Sequence, residues 1–507
     1  MAAGGETVIN SEIVIEGIVV GDYRSANMEQ NEQLSHTTVA TSTNDKTSYL
    51  ESLDGKYGFR LVFAHELYNQ LRRFARVKLS LCGTTLRKQD APERYTIADI
   101  TPANIIEVVQ GTAEQLPAKS KRIDELSDDD LYTFVTLTGL CFVFRNGCYT
   151  NIWEPYAQAS AVNADLAPNG RMDGWATLAC DSGDCSRAIY MLVNTKCEWR
   201  RNALPQGCGS IGGIVVHTPM RRYGGNMGRY AIRPVDEGDI AVSDKRKDYP
   251  YRTLAQWAYD DNPSAELCFE NMGVTAGVKS AKYKGDAVLA ESGKGRLWSD
   301  APAYIMLTGD YNNLSVASKG WLGNGALRLD APASTWYEWD GDKAVGTKSV
   351  FVEFPTTKIK ASQLVVAFRF GAGLQKAESA YDFPAHWAVE YSIDGGQKFV
   401  RMRDAATGDE RVVMRALPWW DKVVKERGNM KAKTAYDAAL GYTAHAFALP
   451  AECIGQRSVV VRITPADDTV ADISANPKAA TDTLRKIAAG NMRPTTIRFG
   501  EIVIMYR

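Results

Sequence analysis

The stretch Ile13-Val14-Ile15-Glu16-Gly17-Ile18-Val19-Val20 is dense in β-branched residues, carries one charge, and gives way at Gly21 to a polar run reaching Lys46. Eight residues of that kind, bounded by turn formers, make a strand and not a helix. The same grammar recurs outward along the chain, at Phe59–Phe63, Ala75–Leu81, Tyr132–Phe144, Ile189–Val193, Gly212–Val216, Ser349–Phe354, Leu364–Phe370, Trp387–Ser392, Ser458–Ile463 and Thr496–Tyr506. Helical periodicity is confined to short pieces. His65–Arg73 is one. Asp124–Leu131 starts with acids that suit a helix N-terminus. Pro477–Ala489 has Pro near its start and Gly490 after its end. The expected fold class is therefore mainly β.

Composition sets the outer limits. The 507 residues carry 59 Lys+Arg against 60 Asp+Glu. A balance that close argues against a protein held to nucleic acid mainly by charge. Mean hydropathy is −0.27. The absence of an unbroken apolar run of ~18 residues excludes a transmembrane helix.

Two stretches of the first half share an outline: an apolar strand, a long polar insertion, a strand pair, and a closing strand. Strands of this length suit small Greek-key barrels of the OB type. Ser243–Arg252 is charged and poor in apolar residues, so it reads as a linker. Beyond it the strands lengthen, and Asp394-Gly395-Gly396 between Tyr391 and Phe399 marks a hairpin. The organisation expected is a flexible tail over 1–10, an OB-like barrel over 11–127, a second over 128–243, a linker over 244–252, and a jelly-roll β-sandwich over 253–507.

The stretch Ser52-Leu53-Asp54-Gly55-Lys56-Tyr57-Gly58-Phe59-Arg60-Leu61, with Leu67-Tyr68-Asn69 and Val77-Lys78-Leu79-Ser80-Leu81, resembles an OB-like module found at the N-terminus of Bacteroides-type secreted and outer-surface proteins. That module is catalogued as a domain without an assigned function. Gly209–Val216 and Tyr230–Asp239 resemble its closing part. Trp321–Leu327, Trp387–Gly396 and Ile497–Ile502 resemble the jelly-roll modules such proteins carry. The resemblance implies an extracytoplasmic address, in the periplasm or on the outer-membrane surface. Met1-Ala2-Ala3-Gly4-Gly5-Glu6 contains no secretory signal. The chain is thus either cytosolic or a mature form whose leader has been replaced. The resemblance favours the second, with a lipid anchor on the native N-terminus.

Recognisable catalytic chemistry is sparse. The five histidines are all more than four residues apart, and His65-Glu66 lacks the second His of a zinc helix motif. Among the carboxylates, Asp340/Asp342 and Glu353/Glu390 are the pairs to inspect for glycoside hydrolysis. Six of the nine cysteines lie between Cys141 and Cys208. Their spacing leaves three states open: free thiols, a local disulfide closing Cys180–Cys185, or a zinc site completed by Cys197 and Cys208. The reading carries no cofactor, metal or catalytic residue.

Aromatics offer the stronger lead. Trp419 and Trp420 are adjacent after Pro418, and Trp336-Tyr337-Glu338-Trp339-Asp340 places Tyr337 and Trp339 on one face of an extended segment. Exposed flat rings beside carboxylates make a sugar platform. The expected ligand-binding residues are Trp419, Trp420, Tyr337, Trp339 and Asp340, in a non-catalytic cell-surface binding or adhesion protein whose partner is a glycan. The alternative is a nucleic-acid-binding accessory protein acting through the barrels, with Trp199-Arg200-Arg201 and Arg221-Arg222-Tyr223 as the contact surface.

Overall fold

The structure is a computed structural model. It describes residues 5–29, 32–33, 39–40, 43–145, 149, 177–194, 197–218, 227–257, 269–270, 273–274, 283–284, 287–290, 292–301, 304–308, 326–373, 381–414, 443–473, 483–491, 493 and 496–507. The strand-dense reading holds: the fold is mainly β, built from several sheets.

In the first body, β1 (Val14–Gly21), β2 (Thr47–Ser52) and β3 (Gly58–Phe63) form an antiparallel meander. β4 (Arg76–Ser80) returns beside β1, and β5 (Arg94–Ile100) lies parallel to β3. Three sequential strands with the fourth beside the first make a Greek key. The second body repeats this order with β6 (Phe134–Phe142), β7 (Thr177–Asp181), β8 (Ala188–Met191), β9 (Cys208–Val216) and β10 (Ala231–Arg233). Here β10 pairs with both β8 and β9, and β9 with β6, so five strands close a circuit. That is the small OB-type barrel. Period-two alternation fills each interior: Val19, Leu50, Leu61 and Val77 in the first, Val135, Leu137, Ile211 and Val215 in the second.

The C-terminal body stacks two sheets. Its main strands are β11 (Arg252–Trp257), β12 (Arg296–Ser299), β13 (Ala326–Asp330), β14 (Val350–Phe354), β15 (Leu364–Gly373), β16 (His386–Ser392), β17 (Thr443–Leu449), β18 (Val459–Pro465) and β19 (Thr496–Tyr506). β19 anchors the first sheet, with β15 and then β17 on one edge, and β13 and β11 sharing the other. The second sheet runs β12-β14-β18-β16. Between them lie Trp257, Trp336, Val352, Phe368, Trp387, Val461 and Phe499. The hairpin read at Asp394-Gly395-Gly396 is present. Both glycines have positive φ (77° and 88°), and the Asp394 carboxylate accepts from Gln397 and Lys398 N–H.

The three helical readings are corrected. His65–Arg73 contains a single 3-10 turn, Glu66–Tyr68, because the buried Asn69 side chain donates to the Asp45 and Thr47 carbonyls and holds its own backbone extended. Asp124–Leu131 breaks into two such turns. The first is closed by Glu125 accepting from Arg122 N–H and the second by Asp130 accepting from Ser127 N–H. Of Pro477–Ala489, residues 483–489 are described, and Thr483–Lys486 among them is a strand paired with Thr469–Ile473. A cross-strand ion pair from Arg485 to Asp472 prevails over helical periodicity there.

The bodies are joined by a common apolar cluster. It takes Val20, Met28, Tyr49 and Tyr132 from the N-terminal side and Cys141, Leu178, Tyr190 and Ile214 from the second barrel. From the outer face of the first sandwich sheet it takes Val365, Ala367, Ala444, Ala446, Val503 and Met505. The Tyr190 hydroxyl donates to the Ala444 carbonyl at 2.5 Å. The segment read as a linker is packed into the joint: Tyr251 is buried and Tyr249 half-buried. Part of the first polar insertion also docks: buried Asn27 donates to the Leu192 and Pro234 carbonyls and accepts from Asn194 N–H.

Glu51 links the two barrels. Its side chain is fully buried, accepts from Phe134 N–H at 2.8 Å, and lies 3.7 Å from Lys119 Nζ. Burial raises its pKa from the ordinary 4.5 to about 7, against the opposing pull of the Phe134 N–H and Lys119. The folded chain therefore holds this proton more tightly than the unfolded chain. The associated stability is present below the unfolded pKa and is lost as pH rises through about 7. Glu51→Gln keeps the acceptor for Phe134 N–H and removes the buried charge. In thermal melts it is expected to gain on the parent between about pH 5 and about pH 8, by no more than about 3 kcal/mol. A constant difference across that range would contradict the assignment.

Candidate functional site

In Val350-Phe351-Val352-Glu353-Phe354, the residues Val350, Val352 and Phe354 enter the core, so Phe351 and Glu353 face outward. In Arg296-Leu297-Trp298-Ser299, Leu297 enters the core and Trp298 is half-buried on the other side. Antiparallel register then aligns one row across the second sheet. Trp298 stands opposite Phe351, Phe351 opposite Arg462, Arg462 opposite Glu390, and Glu390 opposite Arg401. Trp298 and Phe351 stack at 5.2 Å with planes 14° apart, and Phe399 leans in at 6.3 Å from Phe351.

Guanidinium groups cover this aromatic row. Arg462 lies 3.9 Å from the Phe399 ring centre and Arg296 lies 4.6 Å from that of Trp298. Both guanidiniums are also ion-paired, Arg296 to Glu353 at 2.5 Å and Arg462 to Glu390, which Arg401 also reaches at 3.3 Å. Ser458 donates to the other Glu353 oxygen at 2.6 Å. Side by side, the face thus offers flat apolar rings and polar groups of both signs. That is the mixture that recognises a molecule with an apolar face and a hydroxylated rim.

Glu353 and Glu390, marked in the sequence as a carboxylate pair, do lie on this face. They sit two strands apart and two residues out of register, roughly 12 Å between backbones. Each is bound to arginine, so the two do not form an acid–base pair around one bond. The Asp404–His445 pair, at 2.8 Å, has the shape of an acid–histidine dyad but is buried among Phe368, Phe370 and Phe447.

The residues nominated from sequence fall in three situations. Trp419 and Trp420 lie outside the described residues, as do Arg221, Arg222 and Tyr223. Tyr337 is 4% exposed; its ring is in the sandwich core and its hydroxyl donates to the Asp467 carbonyl, so it offers no face to a ligand. Trp336 is buried beside it, because a 3-10 turn over Ala333–Trp336 suspends the alternation that would have separated them. Trp339 is half-buried with its indole N–H donated to the Ser334 carbonyl, and Asp340 is exposed. Trp199 packs edge-on against Tyr149 at 5.3 Å.

Sequence reasoning missed Trp298, Phe351 and Phe399. A signal was present: each of the first two is an aromatic on the outward phase of an alternating strand. The zinc reading is not assembled, since Cys197 belongs to the barrel interior while Cys180, Cys185 and Cys208 belong to the common cluster. The seven described cysteines are free thiols.

Neither the protein-family models nor the curated proteins yield a match. Among solved structures the chain is similar to the K1 cleaved adhesin domain of Lys-gingipain from Porphyromonas gingivalis W83. Identity is 14%, the match covers 40% of this chain and 83% of that one, and the TM-score is 0.18. It is similar also to the K2 cleaved adhesin domain of Lys-gingipain at 12% identity, over 48% of this chain and 99% of that one, with a TM-score of 0.19. Scores this low carry no argument about this chain. No helix among the described residues is long and apolar enough to cross a membrane.

The ion-pair row has a measurable signature. Glu390 is buried, so Arg462→Gln removes a principal counter-charge and the cover over Phe399. It is expected to cost about 1–3 kcal/mol in denaturant unfolding. Paired with Glu390→Gln, the double substitution is expected to cost less than the sum of the single ones. Additive losses would show that the two side chains are not coupled.

Proposed function

We propose that the chain is a non-catalytic, extracytoplasmic surface binding or adhesion protein that takes carbohydrate on the outer face of the second sandwich sheet. The observation that supports this reading is the row Trp298–Phe351–Phe399, flanked by Arg296, Arg401, Arg462, Glu353 and Glu390. A sugar displaces the Arg296 and Arg462 guanidiniums from the Trp298 and Phe399 rings and stacks its C–H face there, and the charged groups accept from and donate to its hydroxyls. Joining glycan contact to a platform of paired charges demands no proton transfer, which is why the reading is binding and not turnover. Trp339 and Asp340 extend the candidate surface at the neighbouring hairpin, whose Thr347 hydroxyl bonds Thr464 on β18 at 2.8 Å.

Glycan-array binding tests the proposal. The parent chain is expected to bind a defined set of glycans, and Trp298→Ala and Phe399→Ala to lose about tenfold or more in affinity, roughly 1.4 kcal/mol, with the melting profile retained. A folded parent chain that binds no glycan would overturn the carbohydrate reading. Binding that survives both substitutions would remove the site from this face.

A further inference from the structure

We propose that Cys141 and Cys180 form an exchangeable disulfide, a covalent modification site at the joint between second barrel and sandwich, with Cys208 as the thiol through which an external oxidant enters. Cys141 on β6 has a cysteine as direct cross-strand partner on each side, Cys180 on β7 and Cys208 on β9. The Cys141 and Cys180 sulfurs are 3.7 Å apart. Directly opposed antiparallel residues lie about 4.5–5.5 Å apart at Cα, within the span a disulfide bridges. Cys185, in the turn that follows β7, adds a fourth thiol to the same cluster.

Access separates their roles. Cys141, Cys180 and Cys185 are fully buried, while Cys208 is partly exposed, its thiol 2.9 Å from the Asp248 carbonyl. The flanking thiols of Cys180 and Cys208 stabilise the Cys141 thiolate and lower its pKa. That makes the central sulfur the nucleophile of the row.

The exchange balances with a low-molecular-weight disulfide as oxidant. The Cys208 thiol, whose contact with Cys141 keeps it protonated, attacks one sulfur of the oxidant, passes its proton to the first small thiol as that leaves, and is left as a mixed disulfide. The Cys141 thiolate then attacks the Cys208 sulfur and expels the second small thiol. Cys180 next attacks Cys141, and its proton passes to the departing Cys208. Overall, two protein thiols lose two protons and two electrons, and the external disulfide becomes two thiols. The bond would tie β6 to β7 across a separation of 39 residues, restricting the unfolded chain.

The test uses the full chain equilibrated with oxidised glutathione, quenched with iodoacetamide under denaturing conditions and digested without reduction. Peptide masses then locate any crosslink. Exposed Cys82 reports that the oxidant and the alkylating reagent reached the protein. The expected result is a Cys141–Cys180 crosslinked peptide, reversed by reductant, with a melting temperature several degrees above that of the reduced chain. Cys208→Ser is expected to slow its formation roughly tenfold. The proposal is overturned if all four thiols remain alkylatable while Cys82 has reacted, or if the final crosslink joins Cys180 to Cys185. An unchanged rate in Cys208→Ser overturns the entry route. Mapping on the parent chain does not depend on how any variant folds.

Discussion

The apolar cluster shared by the two barrels and the sandwich is the constraint on which the remaining architecture rests. β15 shows it most plainly. Leu364, Val366 and Phe368 turn toward the sandwich interior, while Val365 and Ala367 turn toward the second barrel. A strand covered on both faces needs apolar residues or paired polar ones, and this one is apolar from Leu364 to Phe368; the next residue, buried Arg369, is paired with Glu501 and lies over the Phe144 ring. The small side chains Ala367, Ala444 and Ala446 let the barrel approach closely enough for Tyr190 to reach the Ala444 carbonyl. Interiors packed to crystal-like density tolerate little slippage, so the cluster fixes how the second barrel sits against the sandwich.

That orientation decides which surfaces remain available. The outer face of the first sandwich sheet is spent on the barrel. Among the described residues, the second sheet's outer face is the broad sandwich surface that still carries half-buried rings, and the proposed ligand is placed there. The same joint holds three of the four clustered thiols in its interior. A Cys141–Cys180 bond would stiffen the barrel's side of the contact without touching the aromatic row.

Much of this was legible in the sequence. Strands such as Leu364–Phe370 and Thr496–Tyr506 announce themselves by density of β-branched and aromatic residues. The Asp394 turn does so by two glycines whose positive φ other residues resist. The repeated outline of the first half corresponds to a repeated strand order, with the second barrel the closed one. Less legible were events set by single side chains reaching across sequence. Asn69 ends a helix after one turn by bonding to β2 and the residues just before it. Arg485 draws a helix-like stretch into a sheet. A 3-10 turn at Trp336 sends two neighbouring aromatics into one core, which removed Tyr337 from the surface where alternation had placed it. The aromatic row was hidden for a different reason: its members come from three segments, far apart in sequence, that only the folded sheet and its hairpin bring together.

Oxidative footprinting of the intact chain tests the central claim most directly, because it reports side-chain exposure residue by residue. If the barrel covers the first sheet, Met28, Met505 and Tyr190 stay unlabelled in the native protein while Trp298 and Phe399 are modified. Labelling of Met505 and Tyr190 as fast as Trp298 would mean that the bodies are not joined through this face, and the assignment of the open sheet would fall with it.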